Sequence, residues 1–311
     1  MDPQPSDLER SVLKTVLWFS LFSQALTAFE IWKWLMAPAR GYDLCEVELI
    51  LARSPWLKEK LQASHGFYAL KGAQDIAALM RLRQERFVDA ERKFKRLRRA
   101  ARFFRALPGV RAVAAVNSLA WFATGRESDI DVYVVVRPGL IWSSRFWLVL
   151  PCALVGARPM REHEESEPAR DPFCFSFFST SDALPMEDLC LPRDIYMAFW
   201  VKSLVPVFDR DECFSEFERA NRWATTLLPN ARARRPHHAH TPGVFPFMPI
   251  QTRLTEPLFR TFQRARLPAH LRELANQDSR VIVREDRLKF HDNDRRAEFR
   301  DRFEALMAQH L

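Results

Sequence analysis

Two aspartates, Asp129 and Asp131, are the residues whose type and spacing most directly suggest chemistry. They lie one residue apart at the start of the apolar run DIDVYVVV, which predicts a buried β-strand. Because side chains alternate between the two faces of a strand, both carboxylates project to one face, about 6 to 7 Å apart along the backbone. Such a pair can hold hard divalent cations such as Mg²⁺. The alternative is that both acids form the solvated entrance to a buried strand.

A polar turn and loop precede this strand. VRAVAAV, residues 110–116, predicts a short apolar strand, and it leads directly into Asn117 and Ser118. The connecting segment contains Gly125 and Ser128 and returns the chain to Asp129. The order of features is therefore strand, polar turn, Gly-containing loop and acid-bearing strand.

This order resembles the signature of the DNA-polymerase-β-type nucleotidyltransferase superfamily. The features that carry the resemblance are the Ser after a short strand, the Gly-containing turn and the acid-apolar-acid motif that opens the next strand. The resemblance implies a catalytic, metal-binding pair of carboxylates, Asp129 and Asp131. It also implies a nucleotide-binding turn and loop formed by Asn117, Ser118, Gly125 and Ser128.

The resemblance also implies a reaction. Two Mg²⁺ ions would clamp the triphosphate of a nucleoside triphosphate (NTP), neutralise the in-line transition state and stabilise the departing pyrophosphate. A nucleoside monophosphate would then pass to an acceptor that the sequence does not identify, whether RNA, protein or a small molecule.

Two departures from the family pattern leave a second function open. The family has Gly before the Ser, and Asn117 stands there with a Cβ that can crowd the approach of backbone to phosphate. A third carboxylate is expected on the partner strand, yet FCFSFFST (residues 173–180) contains none, with Asp171 just before it and Asp182 just after it. A catalytically degenerate protein that binds nucleotide, nucleic acid or a protein partner is therefore the alternative.

A long basic helix is predicted over residues 74–107, with apolar residues recurring at three- and four-residue steps. Residues 81–105 within it contain eleven Lys and Arg and three acids, an excess equal to the net charge of +8 of the whole chain. The excess favours a polyanionic partner such as nucleic acid, and a solvated helix face is the other interpretation.

The N-terminal segment predicts three helices followed by a short hairpin, which is the order of a winged helix. Ser6 and Thr27 are the expected caps of the first two helices, with Glu30 completing a capping box, and the third helix covers residues 43–54. That third helix is acidic, so phosphates would repel it. The pattern therefore favours a structural or protein-contacting module over a transcription regulator that reads DNA.

Composition sets the remaining expectations. Hydrophobic residues make up 48% of the 311 residues, enough for a globular chain of about two domains. The five cysteines lack any metal-binding spacing, which indicates reduced thiols and a cytoplasmic location. No apolar block reaches the roughly 18 to 20 residues of a membrane span, so no membrane partner is expected. The oligomeric state is undetermined, and a Pro-rich segment holding His237, His238 and His240 is expected to be a loop.

The predicted fold class is α+β. It comprises an N-terminal winged-helix-like module, a central nucleotidyltransferase-type mixed β-sheet with flanking helices, and a mostly helical C-terminal region. Over its length the chain resembles uncharacterised bacterial proteins of that organisation, and RLKFHDNDRR near the C-terminus is one segment that carries this likeness. The predicted boundaries are 1–73 for the module, 74–107 for the basic helix, 108–185 for the nucleotidyltransferase-like domain, and 186–311 for the C-terminal region with a hairpin near 280–291.

Overall fold

Capping residues set the helix boundaries at the start of the chain. Ser6, Thr27 and Asp43 each accept a hydrogen bond from the backbone N–H of a Glu three residues on, and the Glu side chain bonds back to the cap. These capping boxes begin α1 (Asp7–Ser20), α2 (Ala28–Lys33) and α3 (Leu44–Arg53). The three predicted helices are confirmed. Their starts can be predicted from the sequence because each capping box joins residues only three positions apart.

A small antiparallel sheet follows these helices. It contains β1 (Leu26–Thr27), β2 (Leu61–Ser64) and β3 (Phe67–Leu70) in the order β1-β3-β2. The predicted hairpin is confirmed, and its turn residues His65 and Gly66 both have positive φ. The sequence analysis missed β1 and the short helix α4 (Pro55–Lys60), which are too short to show a periodic pattern.

The long basic helix is present as α5 (Ile76–Ala106), 31 residues capped by Asp75. At 1.5 Å per residue it is about 46 Å long. Ala90, Phe94, Leu97 and Ala101 are buried along one seam and pack in the same hydrophobic cluster as the central sheet. The helix is therefore a main support of that sheet.

Six strands form the central sheet, in the order β7-β4-β5-β6-β9-β8. β5 and β6 are parallel, and the other neighbours are antiparallel. The strands are β4 (Val110–Ala115), β5 (Ile130–Val136), β6 (Phe173–Thr180), β7 (Val205–Asp209), β8 (Val281–Val283) and β9 (Arg287–Phe290). The α+β class is thus confirmed, with FCFSFFST as the partner of the acid-bearing strand.

The described part of the C-terminal region is mostly helical, as predicted, and it also contributes three of these strands. Pro206 lies within β7. β7 is an edge strand, where a proline that lacks an N–H is tolerated. The predicted hairpin near 280–291 is present as β8 and β9, and it extends the same sheet.

Helices cover both faces of the sheet. Val132 and Val134 of β5 belong to the hydrophobic cluster that contains α5, while Tyr133 and Val135 belong to one that contains α1 and the C-terminal helices. The remaining helices are α6 (Asn117–Ala120), α7 (Ile141–Leu154), α8 (Ile195–Ser203), α9 (Cys213–Ala220), α10 (Trp223–Leu227), α11 (Glu256–Ala265), α12 (Ala269–Leu274) and α13 (Arg296–His310), with a 3₁₀ turn at Glu187–Leu189. The N-terminal helix α1 therefore shares one core with the central sheet.

The computed structural model describes residues 4–72, 74–154, 171–232, 234 and 251–311. The loop expected to hold His237, His238 and His240 lies outside the described residues. Among the helices described, none is both long enough and apolar enough to cross a membrane. The domain boundaries given above stay predictions.

Candidate functional site

Asp129 and Asp131 lie at the entry to β5, in the middle of the central sheet. Both side chains are partly exposed. Burial raises the pKa of both carboxyls, and the nearby charge of Asp129 also raises the pKa of Asp131, which reaches about 6. Within the described part of the chain neither carboxylate forms an ion pair. The two acids thus lie close enough to repel one another, and a bound cation would relieve their repulsion.

Asn117 occupies a backbone conformation that usually requires glycine. Its φ is +53°, in the left-handed region, and Asn is one of the few non-glycine residues that adopts it readily. Its side chain hydrogen-bonds the Asp131 carboxylate and so lowers the pKa of that group, against the larger effect of burial. Asn117 therefore reproduces the turn of the missing glycine and also orients one of the two acids. Ser118 follows it within the single-turn helix α6.

Gly125 and Ser128 close a turn in the loop that leads to Asp129. The backbone N–H of Gly125 donates to Ser128 Oγ at 2.9 Å, and the backbone N–H of Ser128 donates to the Gly125 carbonyl at 3.1 Å. Thr124 donates to Asp89 of α5 at 2.8 Å. The described contacts of Gly125 and Ser128 are thus those of residues that shape the loop, and their predicted role in nucleotide binding stays a prediction.

A buried lysine, Lys93 of α5, lies behind this loop. Its side chain has no exposed surface, and its ammonium group donates to the Gly125 carbonyl. It forms ion pairs with Asp89 at 2.7 Å and with Asp171 at 3.9 Å. Its charge also lowers the pKa of Asp129 and Asp131. Lys93 is one of the eleven basic residues counted over residues 81–105, and its position one residue before the buried Phe94 places it at the edge of the seam.

The two acids considered as a third metal ligand lie elsewhere. Asp171 is buried in ion pairs with Arg92 and Lys93. Asp182 is exposed beyond the opposite end of β6 and bonds to Thr180 at 2.5 Å. Because β5 and β6 are parallel, the start of β6 is the part of that strand that lies beside the carboxylate pair.

Cys174 occupies that position, directly opposite Asp131. Its thiol hydrogen-bonds the Asp131 carboxylate, and burial raises the pKa of this thiol so that it stays protonated. Within the residues described, no group of three or more His, Cys, Asp or Glu side chains is arranged to hold a metal ion. The donor set is therefore two carboxylates. Mg²⁺ commonly takes one or two protein carboxylates and fills its other positions with water and substrate phosphate oxygens, so the pair fits this ion.

His291 is a further polar residue near the site that the sequence analysis did not select. It follows β9, and its Nε2 lies 3.0 Å from the hydroxyl of Ser176 on β6. Burial lowers the pKa of His291 to about 3, so the ring is neutral at physiological pH. With Asn117 and Tyr196 it lines a cavity of about 200 Å³. RLKFHDNDRR contains His291, but only the strand pairing of β6 with β9 brings it to the site.

We expect Lys93→Met to lower the free energy of unfolding by about 3 kcal/mol, because Asp89 and Asp171 would lose a buried cation. This loss of stability lies at the low end of the range for breaking a buried ion pair, because Arg92 still contacts both acids. Urea denaturation measures the change. The matched control is Lys95→Met, two residues away and exposed, for which we expect almost no change. Equal effects of the two substitutions would contradict a structural role for the buried ammonium.

We expect Asp131→Asn to stabilise the metal-free protein at pH 8 and to have little effect at pH 4. The folded-state pKa of Asp131 lies at about 6, above the ordinary 3.8, so ionisation costs the folded state stability as the pH rises between these values. At about 1.4 kcal/mol per pKa unit, the gain at pH 8 is about 1 to 3 kcal/mol. Denaturation in EDTA at both pH values measures it. A variant less stable than wild type at pH 8 would refute the raised pKa.

Comparisons of the chain with protein-family models, with curated proteins and with solved structures found no match. The superfamily expected from residues 117–136 therefore stays a prediction. The structure itself gives two close carboxylates at the entry to a central strand, a glycine-like turn at Asn117 and a buried lysine behind them.

Proposed function

We propose that this chain is a Mg²⁺-dependent nucleotidyltransferase that moves a nucleoside monophosphate from an NTP to an acceptor. The observation that carries the proposal is the carboxylate pair Asp129 and Asp131, whose pKa values are raised by burial and which have no ion-pair partner within the described chain. Two neighbouring carboxylates repel one another when both are ionised, and acids with perturbed pKa values are typical of functional sites. A divalent cation is the partner that would compensate them.

The neighbouring residues support this proposal. Asp129 and Asp131 would hold Mg²⁺, which when bound neutralises charge on the triphosphate as pyrophosphate departs. Asn117 holds Asp131 in place through its hydrogen bond, and its left-handed φ forms the tight turn expected before a phosphate-binding Ser. Ser118 lies next to that turn. Each of these residues binds or orients, which is the main task of a protein in phosphoryl transfer.

The architecture supports the same family. A central strand that begins with the two acids, flanked by an antiparallel strand on one side and a parallel strand on the other, is compatible with a nucleotidyltransferase-type sheet. The order of α1 to α3, β2 and β3, with the sheet order β1-β3-β2, likewise supports a winged-helix-like module. On α3, Glu46 pairs with Arg40 and Glu48 is exposed, which argues against a DNA-reading role for this helix.

The second candidate is a nucleotide-binding protein that lacks catalysis. The observation that favours it is Cys174, a protonated thiol beside Asp131 where the family pattern expects an acid that activates the acceptor hydroxyl. His291 is a poor replacement, because its pKa of about 3 makes it a weak base. Such a protein would bind Mg²⁺ and NTP through the same carboxylates without releasing pyrophosphate.

We expect the wild-type protein to transfer label from at least one α-³²P NTP to a component of a cell extract in the presence of Mg²⁺. Asp129→Ala and Asp131→Ala should each reduce the transfer by at least about a hundredfold, because each removes a metal ligand. Labelled products separated by electrophoresis and thin-layer chromatography report the transfer. Asp182→Ala is the matched control, since this exposed acid lies at the far end of β6.

The two candidates give different results in this experiment. Transfer that depends on both aspartates supports the enzyme. Mg²⁺-dependent NTP binding that is lost in the two variants, without any transfer from the four NTPs, supports the binding protein. NTP binding by Asp131→Ala equal to that of wild type would refute both.

The basic helix α5 supports nucleic acid as a partner. Most of its cations face inward or pair with protein groups. Arg83 pairs with Glu30 at 2.6 Å, and both Arg92 and Lys93 pair with Asp89. A second group lies on one exposed face at three- and four-residue spacing and forms no ion pair within the described chain. We name this group the basic stripe; its members are Lys95, Arg98, Arg99 and Arg102. It extends for about 10 Å of helix and matches the charge of a phosphate backbone.

We expect neutralisation of all four residues of the basic stripe to Gln to weaken binding of single-stranded RNA and to flatten its salt dependence. With a slope of about −0.7 per phosphate neutralised, four contacts contribute roughly three to the slope of log K against log salt. Fluorescence polarisation between about 50 and 200 mM salt measures both effects.

The control for this experiment removes four exposed charges from other helices. The substitutions to Gln are at Arg53, Lys58, Arg264 and Arg272. An equal loss in both variants would indicate a net-charge effect and contradict the assignment of the stripe. Binding of acidic vesicles in place of RNA would identify a different partner.

A cytoplasmic location is part of the proposal. All five cysteines lie within the described residues, and none is in a disulfide. Such thiols are typical of a reducing compartment, and in that compartment NTP and Mg²⁺ are both available.

A further inference from the structure

An aromatic cavity of about 390 Å³ adjoins the carboxylate site. Its walls come from parts of the chain that are far apart in sequence: α1 and the residues after it, α5, the turn at Asn117, α8 and α13. Eight of the side chains that line it are aromatic. They are Trp18, Phe19, Phe22, Trp121, Tyr196, Phe199, Trp200 and Phe299.

The size and polarity of this cavity indicate a ligand site. Protein interiors are packed with few voids larger than one water molecule, whereas small-molecule pockets measure about 300 to 1,000 Å³ and combine apolar walls with a few polar groups. Here Gln24 and Ser118 bring an amide and a hydroxyl to the wall. Trp121 and Tyr196 are only partly buried, so the cavity opens to solvent. An imperfectly packed core would not combine these properties.

The charges around the cavity favour a neutral ring. Among the described residues that line it there is no carboxylate and one charged side chain, Arg86, which donates to the carbonyl oxygens of Phe22 and Ser23 at 2.9 and 3.4 Å. Rings already stack within the wall, as in Trp18 with Phe199 at 5.1 Å and Tyr196 with Phe299 at 5.7 Å between centroids. A flat ligand can continue such stacks, whereas a charged or bulky aliphatic one would find few complementary groups.

The position of the cavity connects it to the two acids. Asn117 and Ser118 line it, and the Asn117 side chain also bonds to Asp131. The smaller cavity beside His291 shares Asn117, Tyr196 and Trp200 with it. A molecule whose ring occupied the aromatic cavity could therefore extend past Asn117 toward the carboxylate pair.

We infer that the aromatic cavity binds a nucleobase, stacked among its tryptophan and phenylalanine rings with the Gln24 amide available to the base edge. Base stacking on aromatic side chains is a strong and sequence-tolerant source of affinity, and an amide side chain can both donate to and accept from a base. The ring would belong either to the donor NTP or to the end of a nucleic-acid acceptor. The choice between these two sources rests on the proposed function, whereas binding of the ring does not.

The test uses nucleosides, which carry the base without phosphates. Equilibrium dialysis of the full-length protein with tritiated adenosine, guanosine, cytidine or uridine in EDTA measures ring binding without metal. We expect saturable binding of at least one nucleoside and none of ribose. Because the assay contains neither phosphate nor metal, failure of the catalytic proposal would leave this result unchanged.

Two substitutions test the location. Ala123→Phe adds a ring to the cavity wall and should weaken nucleoside binding by at least about fivefold, which is the low end of the stacking contribution of one base. The matched control is Ala52→Phe on the exposed surface of α3, which should leave binding unchanged. Trp121→Leu, which keeps most of the wall's volume but removes a stacking ring, is the second variant should Ala123→Phe fold poorly.

Competition separates the two sources of the ring. If Mg²⁺-NTP displaces the nucleoside, the cavity holds the donor base; if both bind at once, it holds a base of the acceptor. Absence of nucleoside binding to wild type, or equal binding by wild type and Ala123→Phe, would overturn the inference. Nucleoside binding without any nucleotidyl transfer would refute the proposed function alone.

Discussion

The buried ammonium of Lys93 is the constraint on which the geometry of the site depends. A cation removed from water must be compensated, and here three parts of the chain do so: Asp89 within the same helix, Asp171 before β6 and the Gly125 carbonyl in the loop before β5. Each contact fixes a segment that leads to the carboxylate pair. Because several kcal/mol of desolvation would be uncompensated otherwise, the loop and both strands are held in one arrangement.

Helix α5 consequently has two roles. Its apolar seam and inward-facing cations support the sheet, and Arg92 and Lys93 together neutralise the buried Asp171. Its outer face carries the basic stripe, which forms no ion pair within the described chain. The same helix thus positions the proposed catalytic loop on one side and carries the proposed nucleic-acid-binding surface on another. Net charge alone does not separate these roles, because burial decides which cations are available.

The N-terminal segment is part of the site as well. Trp18 and Phe19 of α1 pack with Phe199 of α8, and these rings continue into the cavity that reaches Asn117. The hydrophobic cluster that includes α1 also includes Tyr133 of the acid-bearing strand. The N-terminal helix α1 therefore forms part of one wall of the cavity that Asn117 also lines.

Local signals determined much of this protein from the sequence by itself. Helix caps at Ser6 and Thr27, the seam of α5 and the alternation that begins at Asp129 are all encoded within a few residues, since hydrogen-bonding side chains and apolar periodicity act over that range. Only the tertiary structure decided the pairing of Asp131 with Cys174. The tertiary structure alone also determined that Lys93 is buried and that His291 lies beside Ser176. These features depend on strand register and on contacts between residues up to 115 positions apart, and local sequence patterns predict neither.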